Sequence, residues 1–305
     1  MLAKQFLSYV IDRVNKPELT LGNLVDMSSH HILGPKENTG KPKISVIIPT
    51  RDKSRLLRNC LGTVRSTTGK LDIELIIVDN DSKETETKEL LIELESLGAV
   101  IIKYPGKFNY STICNLAASK AKGEYLCFLN NDTEIITPGW LESMIEHSSQ
   151  PSVGLVGAVL LYPNKTLQHM GISLGVAGGI AGHPHRGESM QEFVPNHCFE
   201  VSAVTFACAV ISKAKFDSLG GLDPKFPVGF NDVDISIRST NIGFRNILCT
   251  KSLLTHAESQ SRPASKSIKG FVTALSEVVT FLRTHPKSDS DRFFQRRTSL
   301  EKRVQ

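Results

Sequence analysis

Short apolar runs alternate with amphipathic segments along the first half of the chain. The apolar runs cover residues 44–48, 73–78, 99–103 and 125–129. Runs of this length are typical of strands that are buried on both faces. Between them, apolar residues recur at helical spacing in the segments 56–64, 90–97 and 111–121. Strand–helix–strand units of this size predict an α/β domain of the nucleotide-binding type, with a parallel sheet and right-handed crossovers.

The run 125–129 is followed directly by Asn130, Asn131 and Asp132, which places two amides and a carboxylate at the end of a buried strand. In open α/β sheets, ligands bind outside the carboxyl ends of the strands, so chemistry is expected at this position. One carboxylate there can bind Mg²⁺ or Mn²⁺ together with the phosphates of a substrate. A simple turn is the other interpretation, because asparagine and aspartate are common turn residues.

A helix is predicted after this strand. Thr137 and Pro138 have the pattern of an N-cap followed by proline at the first helical position. The apolar face of the predicted helix consists of Trp140, Leu141, Met144 and Ile145.

The pattern changes after about residue 150. Longer apolar runs at 153–161, 204–212 and 246–254 predict further strands. The segment 171–197 is rich in glycine and histidine and has no strong periodicity, which is typical of a functional loop or of ordered coil. Its His183 and His185 suggest a zinc site, but no cysteine or third ligand stands at metal-site spacing, so a substrate-covering loop is favoured.

Asp232 and Asp234 open a further predicted helix. Negative charge is favoured at this end of a helix by the dipole, so capping alone would explain both residues. A chemical role for either carboxylate is the second interpretation.

Three parts are predicted along the chain: an extension at 1–42, a domain at 43–262, and a C-terminal segment at 263–305. Near the start of the extension, Leu2, Phe6, Leu7, Val10, Ile11 and Val14 recur at helical spacing and indicate a short amphipathic helix. The C-terminal segment combines an apolar helical stripe, 268–282, with a basic tail. We expect the helix to dock on the domain. The tail is either solvated or a peripheral contact with an anionic membrane surface, where each basic residue contributes ~1 kcal/mol.

Composition places the 305-residue chain among ordinary soluble proteins, with 40% hydrophobic and 22% charged residues. The formal charge of +5 favours anionic partners but does not choose among them. No apolar run approaches the ~20 residues that span a bilayer. The six cysteines form no C-x-x-C pair and no signal-peptide pattern is visible, so a reducing cytoplasmic location is expected.

The turn after the first predicted strand lacks two common phosphate-binding signatures. It reads Pro49-Thr50-Arg51-Asp52-Lys53-Ser54, without G-x-G-x-x-G or G-K-[ST]. This argues against a dinucleotide-dependent dehydrogenase and against a P-loop NTPase. Asp79, at the end of the second strand, can accept hydrogen bonds from a ribose or a base, or can cap a turn.

Four blocks, taken together, resemble one family. They are I-S-V-I-I-P-T-R-D at 44–52, I-I-V-D-N-D-S at 76–82, F-L-N-N-D-T-E at 128–134, and G-G-L-D-P-K-F at 220–226 running into F-N-D-V-D-I-S-I-R at 230–238. Their order and separation resemble inverting family-2 glycosyltransferases of the GT-A fold. Within that family, the chain looks like bacterial rhamnosyltransferase-like enzymes of O-antigen and surface polysaccharide assembly.

The resemblance implies a Rossmann-like nucleotide-binding half, an acceptor-binding half and a mixed central sheet. It also implies roles for individual residues. Nucleotide binding falls to Pro49, Thr50, Arg51, Asp79, Asn115 and Asn131. A Mg²⁺ or Mn²⁺ ion would be held by Asp132 and His256, and the general base would be Asp232. Donor or acceptor sugar contacts would come from Asn231, Asp234, His183 and His185.

The chain departs from the family pattern at three points. Only the last carboxylate of the D-x-D motif is kept, as Asp132, and Ala257 stands where many relatives have a second histidine. These two departures concern the metal site. The third is Asn231, which replaces the glutamate of the acceptor-side E-D motif whose aspartate is Asp232.

The function implied by the resemblance is metal-dependent, inverting transfer of a sugar, with rhamnose one candidate, from a nucleoside-diphosphate donor. The acceptor would be a hydroxyl of a glycan or lipid-linked glycan, and no nucleic-acid partner is expected. Two alternatives are a nucleotidyltransferase, which normally shows a glycine-rich loop that is missing here, and a catalytically inactive sugar- or partner-binding domain derived from a transferase.

Overall fold

One large mixed sheet organises the residues that the computed structural model describes, which are 43–175, 180–190, 197–257, 268–286, 291 and 293. The strands in chain order are β1 (Lys43–Thr50), β2 (Asp72–Asp79), β3 (Val100–Lys103), β4 (Tyr125–Leu129), β5 (Thr133–Ile135), β6 (Val153–Leu161), β7 (Leu167–His169), β8 (Ser173–Leu174), β9 (Ala181–Gly182), β10 (Phe199–Val201), β11 (Cys208–Ser212) and β12 (Arg245–His256). The helices are α1 (Ser54–Thr67), α2 (Thr85–Ser96), α3 (Tyr110–Lys120), α4 (Trp140–Ser148), α5 (Lys213–Ser218), α6 (Asn231–Asn241) and α7 (Ile268–Thr284).

The amino-terminal half of the sheet is parallel, as predicted. Strand β1 pairs in parallel with β2 and with β4, and β2 pairs in parallel with β3. Alternate residues of β1 enter different cores, because Val46 and Ile48 belong to the cluster on one face and Ile47 to the cluster on the other. Both faces of the sheet are therefore covered, which explains the continuous apolar runs in the sequence.

Beyond β4 the sheet becomes mixed, and the full order is β10-β12-β6-β11-β4-β1-β2-β3. Strand β11 runs antiparallel to both β4 and β6, whereas β12 runs parallel to β6. The short strand β5 turns back from the end of β4 and pairs antiparallel with the end of β12, so that Thr133 lies opposite His256. This pairing carries the polar residues after β4 to the end of β12.

Two of the local predictions are wrong. Thr137 is not the N-cap of α4: the helix begins at Trp140 after Gly139, whose φ is 71°. The Thr137 hydroxyl instead donates to the carbonyl of Lys251 and accepts from the amide of Leu253. Both partners are backbone groups of β12, so Thr137 fixes this strand and not the start of the helix.

The strand predicted at 204–212 begins only at Cys208. Residues 204–207 form a turn-containing segment whose carbonyl groups accept hydrogen bonds from neighbouring elements. The carbonyl of Phe206 accepts from the Tyr110 hydroxyl, and the carbonyl of Ala207 accepts from the amide of Asn130.

Helix α7 confirms the predicted C-terminal helix and docks on the domain. Phe281 is fully buried, with ring centroids 4.8 Å from Phe230 and 6.5 Å from Phe226. Buried Glu277 accepts hydrogen bonds from the amides of Val228 and Gly229. Part of the predicted stripe nevertheless remains exposed, namely Val272, Leu275, Val279 and Leu282.

The predicted extension 1–42 lies outside the described residues, as does the basic tail with Arg292, Arg296, Arg297, Lys302 and Arg303. Within the part of the chain that the structure describes, the helices are too short or too polar for a bilayer crossing. The predicted division into three parts stays a prediction.

Candidate functional site

The carboxyl ends of β1, β2 and β4 meet at one edge of the sheet. Thr50 lies opposite Asp79 in the register of β1 and β2. The Thr50 hydroxyl is buried and accepts a hydrogen bond of 2.9 Å from the side-chain amide of Asn131, which follows β4. Three of the residues predicted to bind a nucleotide are therefore neighbours, because the parallel pairing brings their strand ends together.

The loop after β1 has a strained backbone that is held by the loop after β2. Asp52 and Lys53 adopt positive φ values of 54° and 60°. The Asp52 carboxylate accepts hydrogen bonds of 2.6 and 2.9 Å from the amides of Lys83 and Glu84. The strain is supported by these bonds, and the conformation leaves the Arg51 side chain exposed at the edge of the sheet, next to partly buried Pro49.

Asp79 takes part in a local turn. One of its carboxylate oxygens accepts a hydrogen bond of 2.9 Å from the amide of Ser82. The turn-capping interpretation therefore holds for that oxygen. A ribose or base contact through the partly exposed side chain stays a prediction.

Asp132 faces His256 at the junction of β5 and β12. Its Oδ1 lies 3.1 Å from Nε2 of His256, and both side chains are largely buried. The backbone carbonyl of Asp132 accepts from the amide of Ala257, so both residues are held on the main chain as well. The two residues that were predicted to share a metal, 124 positions apart in the sequence, are thus in direct contact.

Gln168 sets the orientation of the His256 ring. Its Nε2 donates to the carbonyl of His256 (3.3 Å), so its Oε1 is the atom that faces Nδ1 of His256, at 2.8 Å. Because a carbonyl oxygen only accepts, Nδ1 carries the proton. In the neutral imidazole, Nε2 then presents a lone pair towards the Asp132 carboxylate, where a cation or a second proton can lie between the two atoms. The side-chain amide nitrogen of Asn130 is the other group near Nε2, at 3.4 Å.

This donor set fits a divalent metal ion. It consists of one hard carboxylate oxygen from Asp132 and one imidazole nitrogen from His256, oriented by Gln168 as ligating histidines usually are. Adjacent ligand atoms of an octahedral ion at 2.0–2.1 Å are about 3 Å apart, and the two atoms here are 3.1 Å apart. An open cleft beside them is lined by Leu56, Pro163 and Lys165.

A pair of histidines lies next to this centre. Buried His169 contacts His183 through their Nδ1 atoms, at 3.0 Å. The other His169 nitrogen, Nε2, faces the amides of Gly171 and Thr205 at 3.4 and 3.5 Å. Burial, with smaller contributions from His183 and His256, lowers the pKa of His169 well below its usual value, so this ring is neutral.

The two predicted loop histidines therefore have different neighbours. His183 contacts His169, next to the Asp132–His256 pair, whereas His185 takes no part in that contact. The His185 Nδ1 lies 3.2 Å from the Glu188 carboxylate, and the residue has a φ of 62°. Sugar binding by either residue stays a prediction.

Asp232, the predicted base, lies at the start of α6 and is only partly exposed. Burial raises the pKa of Asp232 to about 6, although hydrogen bonds with the amide of Val233 and the hydroxyl of Thr205 act in the other direction. A carboxylate with a pKa near neutrality is suited to accept a proton from a hydroxyl.

Asp234, two residues later, has a different environment. Its carboxylate is buried and accepts hydrogen bonds of 2.9 and 2.6 Å from Arg238 and of 2.8 Å from His285. Burial acts to raise its pKa, but these two partners outweigh it and the pKa of Asp234 is lowered. The contacts join α6 to the end of α7, so the structure gives Asp234 a stabilising position, and the predicted sugar contact is untested.

Asn115 and Asn231 also contact the backbone of nearby loops. Both ends of the Asn115 amide bind the backbone of Leu222, at 2.7 and 2.9 Å. The Asn231 amide donates to the carbonyl of Val228 at 3.2 Å. These contacts hold the glycine-containing loop that leads into α6, and the nucleotide and sugar contacts predicted for the two asparagines remain predictions.

A continuous set of contacts links the metal centre with the predicted base. His256 is held by Gln168, the neighbour of His169, which faces the amide of Thr205. The hydroxyl of Thr205 binds Asp232. Strand β7 and Thr205 therefore connect the Asp132–His256 pair with Asp232.

Four residues of this region were missed by the sequence analysis: Lys165, Gln168, His169 and Thr205. Gln168 and His169 lie on the three-residue strand β7, and Thr205 in the turn before β11. Since β7 is too short to have a clear alternation, no periodic signal identifies it. The one available signal was a polar pair, Gln168-His169, between the apolar residues Leu167 and Met170.

Solved structures show that the fold is of the GT-A type. The chain is similar to GalNAc-T7, solved with UDP, GalNAc and Mn²⁺, with a TM-score of 0.60 over 87% of this chain and 54% of that chain, at 16% identity. It is also similar to the mannosyltransferase PcManGT from Pyrobaculum calidifontis, solved with GDP-Man and Mn²⁺, with a TM-score of 0.57 over 91% of this chain and 71% of that chain, at 15% identity.

Sequence relatives are closer in identity, and this chain spans only a small part of them. It is 37% identical over 241 residues to an uncharacterised protein, y4gI, of Sinorhizobium fredii, covering 77% of this chain and 26% of the relative. It is 36% identical over 230 residues to the O-antigen biosynthesis protein RfbC of Myxococcus xanthus, covering 74% of this chain and 18% of the relative. Residues 45–219, more than half of the chain, match the model of glycosyl transferase family 2, and the chain therefore belongs to this family.

Proposed function

We propose that the domain transfers a sugar from a nucleoside-diphosphate donor to a hydroxyl of a glycan or lipid-linked glycan, with inversion at the anomeric carbon. The proposal rests mainly on the opposed pair Asp132 and His256, whose ligand atoms are spaced to share a divalent cation at the carboxyl edge of a family-2 domain. The solved GT-A neighbours hold a nucleotide or nucleotide sugar with Mn²⁺, which supports the same ligand classes here.

Asp132 and His256 would hold the divalent ion, Mg²⁺ or Mn²⁺, with Gln168 keeping the imidazole nitrogen in its ligating tautomer. When bound, such an ion neutralises the negative charge that develops on a leaving diphosphate. Thr50, Asp79 and Asn131 border the space for the nucleoside at the ends of β1, β2 and β4, and exposed Arg51 lies beside it.

Asp232 would take the proton from the acceptor hydroxyl. A hydroxyl is a weak nucleophile until a positioned base accepts its proton, which accelerates transfer by ~10²–10⁴-fold. The Thr205 hydroxyl bound to Asp232 holds the carboxylate in position. Attack from the side of Asp232, opposite the leaving diphosphate, gives inversion.

For the donor we propose a deoxythymidine-diphosphate sugar such as the rhamnose derivative, with uridine-diphosphate sugars as the second group to test. The similarity to a protein named for O-antigen biosynthesis supports a surface-polysaccharide substrate. A shorter match, 28% identical over 124 residues and covering 39% of each chain, is to a Campylobacter jejuni β-1,3-glucosyltransferase named for an undecaprenyl-diphosphate-linked glycan. It supports a lipid-linked acceptor.

We further propose that the protein works in the cytoplasm, in peripheral contact with the inner membrane surface. The exposed apolar side chains of α7, Val272, Leu275, Val279 and Leu282, support this, together with the basic tail in the sequence.

One experiment tests the proposed reaction. The purified protein is incubated with a panel of nucleoside-diphosphate sugars and Mn²⁺, with and without lipid-linked glycan acceptors, and release of nucleoside diphosphate is measured. We expect release with one donor class, stimulated by acceptor and lost with EDTA. Release of inorganic diphosphate from a nucleoside triphosphate would indicate a nucleotidyltransferase. Binding of a donor without turnover would indicate an inactive relative.

A further inference from the structure

A second group of metal-ligating side chains lies away from the candidate donor site. His147 is in the last turn of α4, Cys198 immediately precedes the edge strand β10, and Cys249 is in the middle of β12. Their ligand atoms, two thiol sulphurs and an imidazole nitrogen, all lie within 4.8 Å of one another. The two sites lie on different parts of β12: between Cys249 and Thr255, next to His256, the pairing with β6 advances by three residues, from Ala158 to Leu161, which at ~3.3 Å per residue is roughly 10 Å along the strand.

Strand pairing brings the two cysteines together. In the antiparallel pair β10–β12, Phe199 lies opposite Leu248, so Cys198 and Cys249 come next in the same register. Opposite residues of an antiparallel pair project from the same face, which is why the two sulphurs are close. The Sγ–Sγ distance is 3.5 Å, and the thiols are not bonded to each other.

The geometry suits a tetrahedral ion bound by sulphur. Zinc–thiolate bonds of ~2.3 Å at the tetrahedral angle put two sulphurs about 3.8 Å apart, close to the observed separation. Cys249 is buried, whereas His147 and Cys198 are partly exposed, so an ion can enter from their side and keep water as a fourth ligand. Next to the cluster, the Ser252 hydroxyl donates to the carbonyl of Trp140 at 2.8 Å, and its oxygen lies 3.4 Å from the Cys249 sulphur.

Metal binding at the cluster displaces protons. Cysteine binds a metal ion as the thiolate and histidine as the neutral imidazole, so an ion bound here releases the protons that these ligand atoms carry.

We propose that His147, Cys198 and Cys249 bind a thiophilic divalent cation, Zn²⁺, at a site separate from the candidate donor site. The ion is bound by the sulphurs of Cys198 and Cys249 and by one imidazole nitrogen of His147, and protons carried by these atoms are released on binding. The ion ties helix α4 and the edge strand β10 to β12, so its role is to stabilise this edge of the sheet. The site does not depend on the proposed transfer reaction.

Cobalt titration of the reduced, metal-free full chain tests the site. Co²⁺ bound by two thiolates and an imidazole gives a thiolate charge-transfer band and tetrahedral d–d bands, whereas Co²⁺ at Asp132 and His256 has no sulphur ligand. We expect the charge-transfer band to saturate at one equivalent and to disappear when Zn²⁺ is added. Zn²⁺ is also expected to raise the melting temperature, since it binds only the folded chain.

Substitutions assign the band to the cluster. Cys198→Ser and His147→Gln change partly exposed residues, so both variants are expected to fold and to bind Co²⁺ at least tenfold more weakly, with a reduced charge-transfer band. Cys114→Ala, at a buried cysteine of α3 in the core of the opposite face, is the matched control and should leave the titration unchanged.

Three results would overturn the proposal. The first is the lack of a sulphur-to-cobalt band in the parent protein. The second is an undiminished band in both Cys198→Ser and His147→Gln. The third is formation of a Cys198–Cys249 disulfide on treatment with diamide, seen as the loss of two hydrogen masses, in a protein whose reduced form binds no Co²⁺. That result would make the pair a redox couple instead.

Discussion

The two halves of the sheet differ in how their carboxylates and amides are satisfied. In the parallel half, the side chains of Asp52, Asp79 and Asn80 bind backbone groups of neighbouring loops. In the mixed half, Asp132 faces His256, and Asp234 faces Arg238 and His285.

These three residues of the first half thus shape loops, whereas Asp132 and Asp234 in the second half face basic side chains. We expect substitutions in the parallel half to act mainly on stability and nucleotide affinity, and substitutions in the mixed half to act on the chemistry. The following predictions test that contrast, from the largest effect to the smallest.

Asp132→Ala should reduce transfer below detection while leaving the fold intact. The substitution removes the single carboxylate of the proposed metal centre and leaves His256 without its partner. Turnover is measured with Mn²⁺ and with EDTA, and folding by thermal melting. Asp217→Ala, at an exposed carboxylate of α5, is the control and should behave as the parent does. Undiminished turnover of the parent in excess EDTA would contradict the metal assignment.

Asp232→Asn should lower transfer by ~10²–10⁴-fold, because the amide cannot accept the acceptor proton. Donor affinity should hardly change. Asp234→Asn is the matched comparison on the same helix: it weakens the ion pairs with Arg238 and His285, so it should lower stability more and transfer less. Kinetics with a fixed acceptor and thermal melting separate the two outcomes. Near-parental transfer by Asp232→Asn would show that Asp232 is not the base.

Gln168→Leu should weaken metal binding by ~10–100-fold, which is the usual cost of removing a residue that orients a ligating histidine. The leucine cannot accept from Nδ1 of His256, so the ring loses its preferred tautomer. Mn²⁺ affinity is measured by calorimetry, and activity at saturating Mn²⁺ should largely recover. An unchanged affinity would mean that Gln168 does not orient the ligand.

The pH profile should show the raised pKa of Asp232. Transfer is expected to fall about tenfold per pH unit below about 6, where this carboxylate becomes protonated. The free energy of unfolding changes with pH in the opposite direction from the transfer rate. Since the folded-state pKa lies above the usual value, the favourable contribution of the protonated form is present at acidic pH and is lost as the pH rises through about 6.

A stability comparison checks this sign. Asp232→Asn should therefore be more stable than the parent at pH 8 and similar to it near pH 4, as measured by denaturant unfolding. Asp234, whose pKa is lowered, should show the reverse, with a contribution to stability that is lost on acidification. Equal stability of Asp232→Asn and the parent at both pH values would contradict the raised pKa.

The smallest expected effect on the reaction comes from the basic tail, which is predicted to act on membrane binding alone. Replacing Arg296, Arg297, Lys302 and Arg303 by glutamine should weaken binding to anionic vesicles by ~1 kcal/mol per charge and leave soluble donor hydrolysis unchanged. Cosedimentation at low and high salt measures this effect. Neutral vesicles serve as the control, and equal binding by both proteins would show that the tail is only solvated.

The sequence alone determined the fold class and the edge of the sheet at which the candidate site lies, namely the carboxyl ends of the parallel strands. Apolar runs buried on both faces and separated by amphipathic helices identified β1 to β4 and their parallel order, because that pattern is local. The four motif blocks identified the family, which residues 45–219 confirm. The carboxylates that end strands followed from the same logic, since parallel strands present their carboxyl ends at one edge.

Tertiary structure alone decided which of these residues meet. Pairing of β5 with β12 sets Thr133 opposite His256 and brings Asp132 to that histidine, and β7 supplies Gln168 from a strand of three residues. The different environments of Asp232 and Asp234 arise in part from the end of α7. His285, which follows this helix and is 51 residues from Asp234 in the sequence, contacts Asp234. The cysteine cluster arises in the same way, from the register of β10 on β12. The hydrophobic pattern of a segment predicts which of its residues are buried, but not which distant segment packs against them. Contacts between distant segments therefore could not be predicted from periodicity.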